Sequence, residues 1–122
     1  VAAAELDGRP VIVSGGDDDT VRVWDLSTHQ PIGDPLTGHT SFVRTVTTTE
    51  LDGRTIIVSG SDDDSIRLWD LATHEPVGQP LTGHTDTVRA LTSTLVDQRP
   101  VLVSGSDDET ARIWDLGAHA GT

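Results

Sequence analysis

Polar and apolar positions along the chain recur with a period of 45 residues, so the pattern of one copy predicts the elements of all of them. Segments 9–53, 54–98 and 99–122 align without a gap, and about 27 of 45 positions are identical between the first two. Residues 1–8, VAAAELDG, line up with VTTTELDG at 46–53 and read as the tail of a preceding copy. Helical spacing is absent. Gly, Pro and Asp break each copy into four short β segments.

In the second copy, residues 42–51 (FVRTVTTTEL) are rich in Thr and Val, as strands prefer. Asp52-Gly53 supplies the positive-φ pair of a tight hairpin turn. Residues 55–60 (TIIVSG) are continuously apolar at their centre, which predicts a strand covered on both faces. Residues 65–71 (SIRLWDL) alternate, with Ile66 and Leu68 on one face and Arg67 and Trp69 on the other. Segment 76–84 (PVGQPLTGH) holds prolines that cannot donate to a central ladder, so it is expected outermost, as an edge strand. In the third copy Asp97-Gln98 stands in place of Asp-Gly, which predicts a looser or differently formed turn.

Gly-His occurs at 38–39 and 83–84, and Trp-Asp at 24–25, 69–70 and 114–115, always in the same order and spacing. Over essentially its whole length the chain therefore resembles the WD-repeat β-propeller family. The resemblance implies an all-β fold of four-stranded antiparallel blades, here an incomplete propeller of about two and a half to three blades. It also implies a buried network in each blade, joining His39, Ser59, Asp63 and Trp69, then His84, Ser104, Asp108 and Trp114. The first copy keeps Ser14, Asp18 and Trp24, and its histidine would precede Val1. Elementary chemistry supports such a set. An indole N–H needs an acceptor, a hydroxyl accepts and passes on a hydrogen bond, and an imidazole links it to a carboxylate.

Composition narrows the partners. Counting glycine, about 44% of residues are apolar, and Leu, Ile, Val and Phe make up about a quarter, above the roughly 20% typical of disordered chains. A net charge of -12, with eight Arg and no Lys, disfavours nucleic acid and anionic membranes. Without Cys there is no disulfide or thiolate site, and no apolar run is long enough to span a membrane. The lack of Met and the mid-repeat ends favour a fragment of a longer propeller over a unit that closes with copies of itself.

Ser, His and Asp together raise a hydrolase reading through His39, Ser59 and Asp63, but the set recurs in every copy, includes Trp and puts the serine in a buried strand. The acidic runs at 17–19, 62–64 and 107–109 lack the spacing of a calcium loop and read as turns. His29, His74 and His119 read as turn or surface residues, and Arg22, Arg67 and Arg112 as packing between blades. The resemblance places docking on the loops that precede the first strand and join the second to the third. The candidate face is Ser41, Phe42, Asp86, Thr87, Asp17, Asp62 and Asp107. The expected function is a non-catalytic protein–protein interaction scaffold within a larger propeller protein, with no catalytic residue, cofactor or metal. A regulatory or sensor module of a multidomain signalling enzyme is the alternative. Expected partners are other proteins and further blades, from the same chain or a homo-oligomer, and the default location is the cytoplasm.

Overall fold

The computed structural model describes residues 1–116. His119, and the outer segment expected for the third copy, lie outside the described residues. The described chain is all β, in three antiparallel three-stranded sheets. The first holds β1 (Ala2–Leu6), β2 (Arg9–Gly15) and β3 (Val21–Asp25). The second holds β4 (Val43–Leu51), β5 (Arg54–Ser61) and β6 (Ile66–Asp70). The third holds β7 (Val88–Val96), β8 (Arg99–Ser106) and β9 (Ala111–Asp115). The sheets stack in chain order, with β1 against β4 and β4 against β7.

Each sheet follows from its residues. The Asp-Gly pairs take left-handed backbone at both positions, φ 51 and 78 at Asp7-Gly8 and φ 54 and 77 at Asp52-Gly53. This is the geometry that matches strand twist in a two-residue hairpin. Asp97-Gln98 adopts it too, with φ 51 and 64, so the expectation of a differently formed turn is corrected. Val96 pairs with Arg99 as Leu51 pairs with Arg54, and that shared register imposes the same turn on Gln98 despite its Cβ.

The fourth segment departs from the four-stranded blade expected. It touches β3 and β6 only through isolated bridges, Pro31 to Trp24 and Leu36 to Val21, then Pro76 to Trp69 and Leu81 to Ile66. The outer segment thus takes five steps from bridge to bridge where its neighbour takes three. The surplus bulges at Gly33 and Gly78, both with φ near 70, and the prolines withhold their donors. Val77 N–H still donates to Leu68 O at 2.9 Å, so the segment is an edge tied down at intervals.

The core lies between sheets. Val11, Val13, Val21 and Val23 of the first sheet meet Val43, Val46, Ile57 and Trp69 of the second. Ile56, Val58, Ile66 and Leu68, on the second sheet's other face, meet Val88 and Leu102 of the third. The run TIIVSG is therefore covered on both faces in the middle sheet, as its composition predicts. Glycine sets the closest approach: a Cβ on Gly60 would lie 2.6 Å from Val88 Cγ1, and one on Gly15 2.5 Å from Val43 Cγ1.

Candidate functional site

The second sheet positions one connected set of polar side chains. Ser59 on β5 and Trp69 on β6 sit on adjacent strands, and the indole Nε1–H donates to Ser59 Oγ at 3.1 Å. His39, from the loop before β4, puts Nε2 2.7 Å from Ser59 Oγ and Nδ1 2.9 Å from Asp63 Oδ2. Proton accounting fixes the directions. Ionised Asp63 can only accept, so Nδ1–H donates to it, and Nε2 is left to accept from the Ser59 hydroxyl. Trp69, Ser59, His39 and Asp63 thus form a one-way relay around a neutral imidazole.

The charges agree with that assignment. Burial pushes the His39 pKa down despite the carboxylate beside it. Burial also opposes the charge on Asp63, yet bonds from the Ser65 hydroxyl, the Thr40 N–H, His39 and the Ser65 N–H outweigh it and hold its pKa at about 2. The preceding glycine belongs to the same unit. Gly38 has φ 154, and a Cβ there would lie 2.9 Å from the Arg67 guanidinium and 3.2 Å from the Trp69 ring.

The third sheet repeats the arrangement. His84 joins Ser104 at 2.7 Å and Asp108 at 2.8 Å, Trp114 donates to Ser104 at 2.9 Å, and Thr85 N–H donates to Asp108 at 3.0 Å. The first sheet keeps only part of it. Trp24 donates to Ser14 at 2.9 Å, while Asp18 Oδ2 accepts from Arg22 at 3.1 Å, on the oxygen that takes imidazole in the other two sheets.

Two further sets of residues went unnoticed in the sequence. The Asp of each Trp-Asp pair caps the turn that follows, Asp70 accepting from Ala72 N–H at 2.9 Å, and also pairs across the sheet with Arg54 at 2.9 Å. Asp25 does the same with Ser27 and Arg9, and Asp115 pairs with Arg99. Their recurrence sixteen positions apart in every copy was the available signal.

The second missed set lies on the loop face. Asp62 N–H donates to Phe42 O at 2.9 Å and Asp107 N–H to Thr87 O at 3.0 Å, so each acidic turn is pinned to the loop before the first strand of its own sheet. Arg44 makes a two-pronged contact with Asp62, at 2.8 and 2.9 Å, and lies over the Phe42 ring, 5.2 Å from its centroid. Arg89 pairs with Asp107 through Nε alone, which faces both carboxylate oxygens at 3.0 and 2.9 Å. Asp17 and Asp107 both act on the Arg44 charge, and Asp62 feels Arg89, so these groups share one end of the stack. Phe42 is 39% exposed and belongs to no core cluster. Asp86 is exposed, Ser41 half-buried, and Thr87 is nearly covered.

The acidic runs are turns whose third residue is left-handed: Asp19 and Asp64 at φ 70, Glu109 at φ 72. No cluster of three metal-ligating side chains occurs among the described residues. His29 and His74 are likewise left-handed turn residues, φ 62 and 63. Of the three arginines before each Trp, Arg22 pairs with Asp18, while Arg67 and Arg112 pack against Gly38 and Gly83.

All-β blades, a Gly-His loop joined to Ser, Asp and Trp, and three copies at one period define a repeat protein of the propeller class. The chain belongs to the WD40 family, since the family model described as WD domain, G-beta repeat, matches residues 6–25, 30–70 and 75–115. Repeats of this family are generally interaction scaffolds and typically non-catalytic. No curated protein matches the chain. No helix among the described residues is long and apolar enough to cross a membrane.

Proposed function

We propose that this chain is a non-catalytic protein–protein interaction scaffold, part of a larger propeller protein, which docks its partner on the loop face around Phe42. The observation that carries this reading is the exposed Phe42 ring held under Arg44, itself fixed by Asp62. It is an aromatic anchor already ordered before any partner arrives, so little side-chain entropy remains to be lost on docking. Asp17, Asp62, Asp86 and Asp107 make the surroundings acidic, which fits a partner with a basic rim.

A hydrolase reading has one geometric point in its favour, because Asp63, His39 and Ser59 are connected in the order of a catalytic triad. Burial argues against it. Ser59 has no exposed surface, and the Trp69 indole already occupies its oxygen, which leaves no approach for a carbonyl carbon. The same set recurs at Ser104, as a structural element would.

The test is site-specific photocrosslinking. A photoreactive phenylalanine analogue at position 42 should give discrete protein adducts in a lysate, depleted by Asp62→Ala and Asp107→Ala. The same analogue at position 98, at the far end of the strands, should give none of them. Identical adducts at both positions would remove the basis for this face. Ester turnover lost in Ser59→Ala, with the fold intact, would restore the hydrolase.

A further inference from the structure

Six of the eight arginines pair with a carboxylate, whereas Arg67 has no ion pair among the described residues. Asp63, four positions before it, is engaged on both oxygens, Oδ2 by His39 and Oδ1 by Ser65. The Arg67 guanidinium packs over Gly38 instead, where a Cβ would lie 2.9 Å from Nη1. Its Nε is buried without a hydrogen-bond partner, which leaves the Nη nitrogens to present donors. A cation held in this way is partly desolvated and unanswered, an arrangement that costs stability until an anion meets it.

The guanidinium lines a groove of about 460 Å³ between the outer segment of the first sheet and the second sheet. That volume falls within the roughly 300–1,000 Å³ of small-ligand clefts. Asp34 to Thr37 form one wall and Thr73 to Pro76 the other, with Arg67 and Trp69 between them. His74 braces the walls, since a Cβ on Gly33 would lie 2.8 Å from its Cε1. Asp34 and Glu75, one on each wall, are exposed and neither pairs with Arg67.

We infer that this groove binds a zwitterionic α-amino acid with an apolar side chain, its carboxylate on the Arg67 Nη donors and its ammonium toward Asp34 and Glu75. A guanidinium presents planar, paired donors that match the two oxygens of a carboxylate. With one arginine against two acids the lining is net negative, which repels a phosphate dianion and favours a ligand that carries its own cation. Pro35 and Pro76 supply apolar surface for the side chain. None of the loop-face residues around Phe42 lines the groove, so the inference stands whether or not that face meets a partner.

The test titrates the isotope-labelled 122-residue chain with L-leucine and follows the backbone amide resonances of Thr37, Thr73, His74 and Glu75. These should shift saturably at millimolar leucine or below, while those of Asp62 and Asp107 on the loop face stay in place. Leucinamide lacks the carboxylate and N-acetyl-leucine lacks the ammonium, and each should bind at least about tenfold more weakly, the loss expected for one charged hydrogen-bonded contact. Arg67→Gln should reduce leucine binding to the level of leucinamide, and Asp34→Asn with Glu75→Gln to that of N-acetyl-leucine. Arg67→Lys keeps the charge and should lose less than Arg67→Gln, and far-ultraviolet circular dichroism shows that each variant is folded. Where Arg67→Gln does not fold, the two leucine analogues carry the test on the unaltered chain. Absence of a saturable shift up to about 10 mM leucine would overturn the proposal, because a contact with a Kd of about 1 mM is nearly saturated there. Binding of either analogue as tightly as leucine, or tighter binding of inorganic phosphate, would overturn it as well.

Discussion

The second and third sheets carry nearly the same residues in nearly the same backbone, yet their environments differ. Leu68 on β6 is 4% exposed, while Ile113, at the equivalent place on β9, is 76% exposed. Val58 is fully buried and Val103 only half so. The second sheet has a neighbour on each face, whereas among the described residues the third has one only on the side of Leu102 and Trp114. What a blade's sequence encodes is half of two interfaces, and the stability each half delivers depends on the sheet laid against it.

Truncating the paired positions should separate the two most widely. Leu68→Ala removes a side chain packed among Ile66, Val88 and Leu102 and leaves a cavity, at a cost of about 2–5 kcal/mol. Ile113→Ala removes one that faces solvent and should change stability by less than about 0.5 kcal/mol. Urea unfolding followed by far-ultraviolet circular dichroism measures both. Equal losses would mean that a neighbour covers the third sheet in solution.

The glycines give the same comparison with the opposite sign at one end. Gly60→Ala drives a Cβ to within 2.6 Å of Val88 and 3.0 Å of Thr45 Cγ2, and should cost about 1–3 kcal/mol as the sheets part. At Gly105 the nearest atom would be 4.0 Å away, on Ala90. Neither glycine has positive φ, so Gly105→Ala should be neutral or stabilise by up to about 1 kcal/mol by restricting the unfolded chain. A penalty at Gly105 like that at Gly60 would again reveal a covered face.

Which parts of this could be read beforehand follows from how far each depends on neighbours. Strand positions and the Asp-Gly turns are set within one copy, so the period and the alternation sufficed, while the pairing of Ser59 with Trp69 was implied by the family resemblance. The outer segment's edge position was legible from its prolines, whereas its register and the two-residue bulge at Gly33 and Gly78 depend on the neighbouring strand and needed coordinates. Gln98 misled because a turn type was inferred from one side chain when the register of β7 and β8 decides it. Arg44 went unnoticed because its role comes from Phe42 and Asp62, which approach it only once the sheet has formed.

The turns supply a smaller contrast. Gln98 at φ 64 bears a left-handed strain that Gly53 at φ 77 does not, so Gln98→Gly should stabilise by about 1 kcal/mol. Gly53→Gln should destabilise by a similar amount. Thermal melts of the two variants test the pair together, and matched shifts in the same direction would contradict shared turn geometry.

The last effect is one of slope against pH, and it compares the second sheet with the first. His39 resists protonation because it is buried, so the unfolded chain binds that proton more readily and stability should fall as pH drops below the ordinary histidine value of 6.5. The Asp63 pKa, at about 2, lies below the ordinary 3.8. Its contribution is fully present above that ordinary value and is lost as pH falls through the interval down to about 2. Asp18 is also lowered, first by the Thr20 hydroxyl and then by Arg22, but its carboxylate is 52% exposed and its ion pair is open to screening. Urea midpoints measured from pH 8 to pH 3 should therefore fall in two stages. His39→Gln should flatten the upper stage and Asp63→Asn the lower. Asp18→Asn should have less effect than Asp63→Asn, and raising salt to about 0.5 M should erase its share while leaving most of that from Asp63. If salt removed both shares equally, the His39–Asp63 link would be as exposed in solution as the Arg22–Asp18 pair, and the relay in the second sheet would not be closed to water.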